Sequence, residues 1–443
     1  MAVYQAPEEW TEWADLLAAA VDGRSRWRLP LVMLGMLFAR GRRTVTTWLR
    51  AGGLQDDYRG FYDFLQTVGR GCLSLGDRVL GVVLQRVLKD ESRVLLVIDD
   101  TPTKRYGPQV AGAGIHHDPT PGPTGNEFCY GHVWVTLAVC VRHSLWGAIG
   151  LPIWSWLYVR KVDVEKLPSE ARWTFQTKLV QAAELVLRAA RRIQAAGKAV
   201  WAVADGAYAT RPFVRPLMEQ DITVVGRLRK DAARFDVPPV VTKPGRGRPR
   251  KYGVNRLSLA KRAAHPQGWT EVTCTVYGKE VVKTVKTFLA THATFGGTIR
   301  MVIIKEDHGP QFLYCTNIDA TVREIIEAFA DRSPIEQVFH DIKEVWGAGQ
   351  QQVRNLWSNI GCWHLNLWLF TLTELWAWPL KAQQLTQRDD SPWDTADRRP
   401  SHADKRKALQ TQCLLNEFTP HTTATPLPQK IRSLLQRLLR LAV

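Results

Sequence analysis

In the run F-A-D-R-S-P-I-E-Q-V-F-H-D-I-K-E-V-W-G-A-G-Q-Q-Q-V-R-N, from Phe329 to Asn355, Glu336 follows Arg332 by four residues and Phe329 by seven, and precedes Lys343 by seven. Helical spacing would gather all four near one face. A carboxylate beside two cations suits a group that holds a metal while its neighbours grip phosphate oxygens, Arg through a bidentate fork and Lys as a point charge. The same residues also read as a helix start, with Ser333 as N-cap, Pro334 in the first position and Glu336 closing a capping box. Both readings can hold at once, since an acid at a helix start can also bind a metal. Pro334 would kink any helix running on from Phe329.

Further acids stand at the ends of apolar runs. Arg93 to Ile98 has strand length and stops abruptly in Asp99-Asp100-Thr101-Pro102, which reads as a fully buried strand with acids at its exit. Neighbouring strand residues point to opposite faces, so only one of Asp99 and Asp100 can face a given site. Ala199 to Ala204 is a second such strand and ends in Asp205-Gly206; a short helix (211–219) and a strand (222–225) follow. Asp205 then sits at a carboxyl edge, where open sheets place their sites; a plain Asp-Gly turn is the structural alternative. Two acids at strand exits and one on a later helix are what two divalent ions need, if the fold brings them together. Mg²⁺ prefers carboxylate oxygens and keeps positions for water and phosphate, and Mn²⁺ is the expected substitute. Two such ions can activate an attacking oxygen and stabilise a leaving one.

The elements that must position these acids follow from periodicity. Helices are expected over 10–20, 29–39, 44–51, 58–68 and 75–88, with no strand among them. The basic, hydroxyl-rich segment Gly41 to Arg50 has the look of a helix entering a DNA groove, or of a charged helical face without that role. Strands over 133–141 and 149–159 form an antiparallel pair, and a crossover helix spans 175–193. The Gly/Pro-rich loop 104–131 places Lys104 and Arg105 for contact with DNA. Strand composition recurs at 271–277, 279–290, 300–305 and 311–316. Within this region Lys243 to Lys251 resembles an AT-hook, whose Arg-Gly-Arg-Pro core fits a narrow minor groove; Arg246, Arg248 and Arg250 are its cations, and a basic loop gripping phosphates is the alternative. A Trp-rich helix over 356–380 carries too many polar residues for a membrane span. Residues 384–404 read as a linker and 428–441 as a basic amphipathic helix.

Composition agrees with a polyanionic partner. The 443 residues contain 59 Lys and Arg against 42 acids, a formal charge of +17. That excess suits nucleic acid; no run resembles a signal peptide or an amphipathic membrane anchor. Seven cysteines without a C-x-x-C pair indicate neither a disulfide framework nor a zinc site and fit a reducing cytoplasm.

Aromatic-x2-Arg-x3-Glu-x6-Lys resembles the Tyr-Arg-Glu-Lys signature of the DDE transposases of bacterial insertion sequences, in the branch that excises DNA through a hairpin; Phe329 stands in place of the Tyr. The downstream W-G-A-G-Q-Q-Q-V-R is similar as well. The family pattern at the first acidic strand, Asp-x-Thr, matches Asp99 with Thr101, which favours Asp99 as first ligand and leaves Asp100 as the fallback. The resemblance, which covers roughly residues 95–355, implies an α/β fold with a ribonuclease H-like catalytic core (91–227 and 317–380) and a strand-rich insertion (228–316) bearing the basic loop 243–251; periodicity and composition add a helical N-terminal domain with possible DNA-end binding (1–90) and a linker with C-terminal helices (381–443). It implies metal ligation and catalysis by Asp99, Asp205 and Glu336, two Mg²⁺ ions, DNA contacts from Phe329, Arg332 and Lys343, and double-stranded DNA as partner. A homodimer in the synaptic complex and a bacterial, nucleoid-associated location belong to the same expectation. A catalytically silent DNA-binding regulator would keep the basic surface without needing the acids; a stand-alone nuclease of this fold would share them.

Overall fold

The computed structural model describes residues 4–54, 56–117, 127–239, 250, 252–386, 395 and 398–418. Five helices come first, α1 (Glu8–Ala18), α2 (Arg28–Phe38), α3 (Val45–Ala51), α4 (Tyr58–Arg70) and α5 (Cys72–Val87). Thr44 caps α3 by accepting the Thr47 amide, and Asp57 caps α4 by accepting the Gly60 amide. Each cap satisfies an amide that the first helical turn leaves without a partner.

The sheet follows. β1 (Arg93–Lys104), β2 (Gly114–His117), β3 (Phe128–His143) and β4 (Gly147–Tyr158) are antiparallel, with β3 pairing all three others. After α6 (Lys161–Val164) and the crossover helix α7 (Lys178–Ala195), β5 (Ala199–Ala204) lies parallel to β1. Helix α8 (Arg211–Met218) then leads to β6 (Thr223–Arg227), parallel to β5. The order β4-β3-β1-β5-β6 is that of a ribonuclease H-like sheet, as the sequence predicted. Its middle strands are apolar on both faces because helices cover both.

The strands beyond β6 are β7 (Arg234–Phe235), β8 (Arg256–Leu257), β9 (Thr270–Val276), β10 (Lys279–His292), β11 (Gly297–Ile304) and β12 (Gln311–Cys315), with α9 (Leu259–Ala264) among them. Leu313 to Cys315 of β12 pair antiparallel with Arg227 to Val225 of β6. The strand-rich region thus continues the core sheet past β6, through β12, β11 and β10. Helices α10 (Val322–Ala330), α11 (Pro334–Glu344), α12 (Leu356–Ala377), α13 (Ala382–Leu385) and α14 (His402–Phe418) complete the described chain.

Helix α12 is the core's backstop. Trp363 stacks on Trp134 of β3 with ring centroids 4.7 Å apart. A register shift in the β3–β4 ladder leaves Ile153 without a cross-strand partner. There Trp368 Nε1 donates to the Ile153 carbonyl and Thr371 Oγ1 to that of Pro152, at 2.8 and 2.7 Å. Against α4 the helix crosses backbone to backbone: a Cβ on Gly361 would overlap the Leu65 carbonyl oxygen, and one on Gly69 that of Trp357. Among the described residues no helix is long and apolar enough to cross a membrane.

Helix α14 begins inside the stretch expected to be a linker, and most of its buried face is polar, with Leu409 and Cys413 as apolar exceptions. Glu374 of α12 accepts from His402 Nδ1 at 2.6 Å and from Lys405 Nζ at 2.5 Å, while Trp346 Nε1 donates to His402 Nε2 at 2.7 Å. Arg406 donates to the carbonyls of Leu37 and Ala39, which end α2, and to that of Val345. These contacts satisfy helix-end carbonyls that have no intrahelical donor. The helix expected over 428–441 lies outside the described residues.

Replacing Gly361 by Val should force α4 and α12 apart and lower unfolding stability by about 2–3 kcal/mol, a magnitude typical of overpacking; chemical denaturation of the variant beside wild type checks it.

Candidate active site

The pairing of β1 with β5 runs from Arg93 opposite Ala199 to Ile98 opposite Ala204. The next residue on each strand is an acid, Asp99 and Asp205. Partners across a parallel ladder share a face, so the register sets the two carboxylates side by side at the sheet's carboxyl edge. Asp205 begins a one-turn 3-10 helix (Gly206–Tyr208), but its side chain accepts no capping hydrogen bond. Its carboxylate is exposed, and the turn is held instead by the Tyr208 amide donating to the Asp205 carbonyl at 3.0 Å.

Asp99 and Asp100 divide between the two faces of the sheet. Asp99 Oδ2 accepts from Arg332 Nη1 at 2.9 Å, beside α11. Asp100 turns toward α7, where Oδ2 accepts from Lys178 Nζ at 2.7 Å and Oδ1 from the Tyr208 hydroxyl at 2.9 Å. The alternation of a strand thereby separates the two acids that sequence could not tell apart by spacing.

Arg332 joins the first acid to the third. Its Nη2 donates to Glu336 Oε1 at 2.9 Å while Nη1 holds Asp99, and the guanidinium is only 16 % exposed. Farther along α11, Lys343 Nζ donates to Thr101 Oγ1 at 2.6 Å, two residues beyond Asp99 on the same face of β1. Both cations expected to grip phosphate therefore lie against the acidic edge. Ser333 adopts a helical conformation and makes no capping bond, so the capping box does not form. The chain turns between Ala330 and Pro334, and Glu336 points to Arg332 instead. Phe329 lies on the far side of that turn, half-buried against the apolar cluster around Val203, Leu313 and Ile325. It does not share a face with Arg332 and Glu336, because α10 ends at Ala330.

Burial pushes the Asp99 carboxyl up to about 6, reinforced by the charges of Asp100 and Asp205 and opposed by Arg332 and the Asp100 amide. Burial, with the same acids nearby, also raises the Tyr208 phenol well above its ordinary value and keeps it a donor. The donor set fits a hard divalent ion: all oxygen, with a buried acid that a nearby cation would keep ionised. Among the described residues no three His, Cys, Asp or Glu side chains close on one point. Glu336 is held one guanidinium away from Asp99.

The structure separates the two cations expected in the loop after the first acidic strand: Lys104 is the last residue of β1, and Arg105 follows it. Lys104 is exposed. Arg105 is buried, contrary to the expected DNA contact: Nη1 donates to the carbonyls of Gly349 and Gln351 at 2.8 and 2.9 Å, and Nε to His132 Nδ1 at 3.1 Å. Burial brings His132 down to about 3, leaving it neutral. Arg105 thus clamps the W-G-A-G-Q-Q-Q turn. The same turn reaches the N-terminal helices through Gln350 Oε1, which accepts the Arg43 amide at 2.8 Å, and Gln351 Nε2, which donates to the Arg43 carbonyl at 3.0 Å. Between this turn and β1 opens a cleft of about 1180 Å³, lined by Arg42, Lys104, Tyr106, Lys343, Gln350 and Arg354 among others. Arg250 is exposed; Arg246 and Arg248 lie outside the described residues.

Sequence reasoning missed Lys178 and Tyr208. Nothing in spacing ties either to Asp100, 78 and 108 residues away. Tyr208 could have drawn notice only as a large aromatic three residues past the second acid.

A ribonuclease H-like sheet with one acid within β1, which runs on to Lys104 past the strand exit expected at Asp99, and another just beyond the end of adjoining β5 fits the nuclease class, and sequence comparison gives the family. The DDE superfamily endonuclease family matches residues 17–294, well over half of the chain, and the chain belongs to it. The matched span includes β1 and β5 and stops before α11. Among curated proteins, none matches the chain. Members of this family act on DNA and typically use divalent metal ions.

Because the folded pKa of Asp99 lies above its unfolded value near 4, the native state binds the extra proton between about pH 4 and 6, and stability falls as pH rises through that window. In chelator-containing buffer, Asp99→Asn should therefore melt higher than wild type at pH 8, with the gain shrinking towards pH 4; thermal melts across this range check it.

Proposed function

We propose that this DDE endonuclease is the transposase of a bacterial insertion sequence, cleaving DNA at the element's ends and joining it to a target. The observation that carries the reading is the shared Arg332: one guanidinium ties Asp99 on β1 to Glu336 on α11, at the edge where register sets Asp205 beside Asp99. Asp99, Asp205 and Glu336 would hold Mg²⁺, with Mn²⁺ as substitute. Two such ions supply activation of the attacking oxygen and stabilisation of the leaving one.

The remaining work falls to the chain. Arg332, once relieved of its carboxylates, has fork-shaped donors for a phosphate at the cut, and Lys343 on α11 adds a point charge nearby. Lys104, Arg42 and Arg354 line the neighbouring cleft as backbone contacts for duplex DNA, and the loop 243–251 adds more through Arg246, Arg248 and Arg250. Stabilising charge that develops on phosphate oxygens is where most of the rate in such a reaction arises.

The Arg332-Glu336-Lys343 spacing and the W-G-A-G-Q-Q-Q turn support the hairpin-forming branch. Phe329 supplies no hydroxyl for a backbone contact and packs inward, so that contact, if made, comes from another residue. We assign residues 1–90 to DNA-end binding, 91–227 with 317–380 to catalysis, 228–316 to an insertion that adds DNA contacts, and 381–443 to a C-terminal region. A homodimer in the synaptic complex and a place on the nucleoid complete the reading.

Incubating the purified protein with Mg²⁺ and DNA carrying the ends that flank its own gene should give cuts at those ends on a denaturing gel, followed by strand-transfer joints. Asp205→Ala or Glu336→Ala should abolish cleavage and leave DNA binding largely intact. Cutting without end preference or joints would point to a nuclease; binding without metal-dependent cutting would point to a regulator. Replacing Arg42, Lys104 and Arg354 by Ala should lower the salt dependence of binding by about one unit of log–log slope per lost phosphate contact; an unchanged slope would remove the cleft from the interface.

A further inference from the structure

We infer that Asp100, the acid beside the first ligand, is a positioning residue: it fixes the turn that carries Asp205 by holding the Tyr208 hydroxyl. The inference rests on Asp205 binding metal, as proposed above, and adds the device that keeps it in place.

Asp205 sits where β5 ends, at the head of a single 3-10 turn closed by the Tyr208 amide on the Asp205 carbonyl. One such turn is a weak constraint. Its far end is anchored instead by the side chain of Tyr208, which is buried at 3 % exposure and crosses to β1. The hydroxyl donates to Asp100 Oδ1 at 2.9 Å, and Tyr208 packs edge-on against Phe213 of α8 at 5.5 Å between ring centroids. Lys178, the first residue of α7, donates to the other Asp100 oxygen at 2.7 Å. Asp100 is therefore occupied on both oxygens by donors from two elements, on the face of the sheet opposite the one on which Asp99 meets Arg332. Its carboxylate links β1, the turn after β5 and the start of the crossover helix.

A direct ligand and a positioning residue respond differently to removal. Losing a group that orients a metal ligand without itself touching the metal typically weakens metal affinity by roughly 10- to 100-fold without abolishing it. Asp100 acts in this way through the Tyr208 hydroxyl and the turn backbone rather than on the Asp205 carboxylate itself. Two groups that act through one contact lose no more together than singly.

The experiment is a Mn²⁺ titration of the full-length protein without DNA, following the electron paramagnetic resonance of the free ion. It uses wild type, Asp100→Asn, Tyr208→Phe, their double variant, and Asp99→Asn. Tyr208→Phe is decisive because it removes no charge. It should weaken Mn²⁺ binding by about 10-fold, and the double variant should bind no more weakly than Asp100→Asn alone. Asp99→Asn should lose the tight site. The same Tyr208→Phe protein should cut element-end DNA with a reduced kcat that excess Mn²⁺ restores and with an unchanged KM for DNA, which a general loss of structure would not produce. Unaltered Mn²⁺ affinity in Tyr208→Phe, or additive losses in the double variant, would overturn the inference. So would loss of all binding in Asp100→Asn with Tyr208→Phe silent, which makes Asp100 a ligand. Failure of the wild type itself to bind Mn²⁺ would overturn the ligand assignment, and this inference with it.

Discussion

The parallel pairing of β1 with β5 is the constraint on which the rest of the site depends. Both strands are buried and apolar along their length, so neither can slip by one residue without turning its side chains to the wrong face. Their register brings two apolar runs to an end at the same level, and an acid follows on each. Crossover helix α7 makes the parallel pairing possible, α11 lies across the resulting edge, and α12 backs the sheet from behind. The edge is one place where a strongly basic chain gathers negative charge, and it does so with buried donors around it.

That charge is divided by geometry. Asp99 and Asp100 are neighbours in sequence, yet each has its own cation, Arg332 in the turn before α11 and Lys178 on α7. A strand that alternates its faces turns a potentially repulsive pair into two separately compensated acids. Glu336 joins only through Arg332, so α11 is registered against β1 by side chains at two levels, Arg332 on Asp99 and Lys343 on Thr101.

Much of this was legible in the sequence, and the reasons differ by element. β1 and β5 declared themselves as continuous apolar runs, and the five N-terminal helices by their apolar stripes. Asp99 was separable from Asp100 only through resemblance, because the alternation of a strand says that they part but not which faces the site. Arg105 looked like an exposed loop cation; the carbonyls that bury it belong to a turn more than 240 residues away. Helix α14 went unseen for another reason. Its buried face is mostly His402, Lys405, Arg406 and Gln410, with Leu409 and Cys413 the fully buried apolar residues among them, so a search for apolar periodicity finds little. The pairing of β12 with β6 was hidden too, since strand composition does not name a partner.

The lacing of α14 to α2 sets a timetable for synthesis. Leu37 and Arg406, which share a hydrogen bond, are 369 residues apart. At ribosomal rates of about 5–20 residues per second, the carbonyls ending α2 wait roughly 20 to 75 s for their donor. Until then the N-terminal helices leave the ribosome with that end bonded only to water, and they reach their final packing after Asp99, Asp205 and Glu336 have already been translated. A transcript broken late in the message would thus yield a chain that has all three acids and an unfinished N-terminal module.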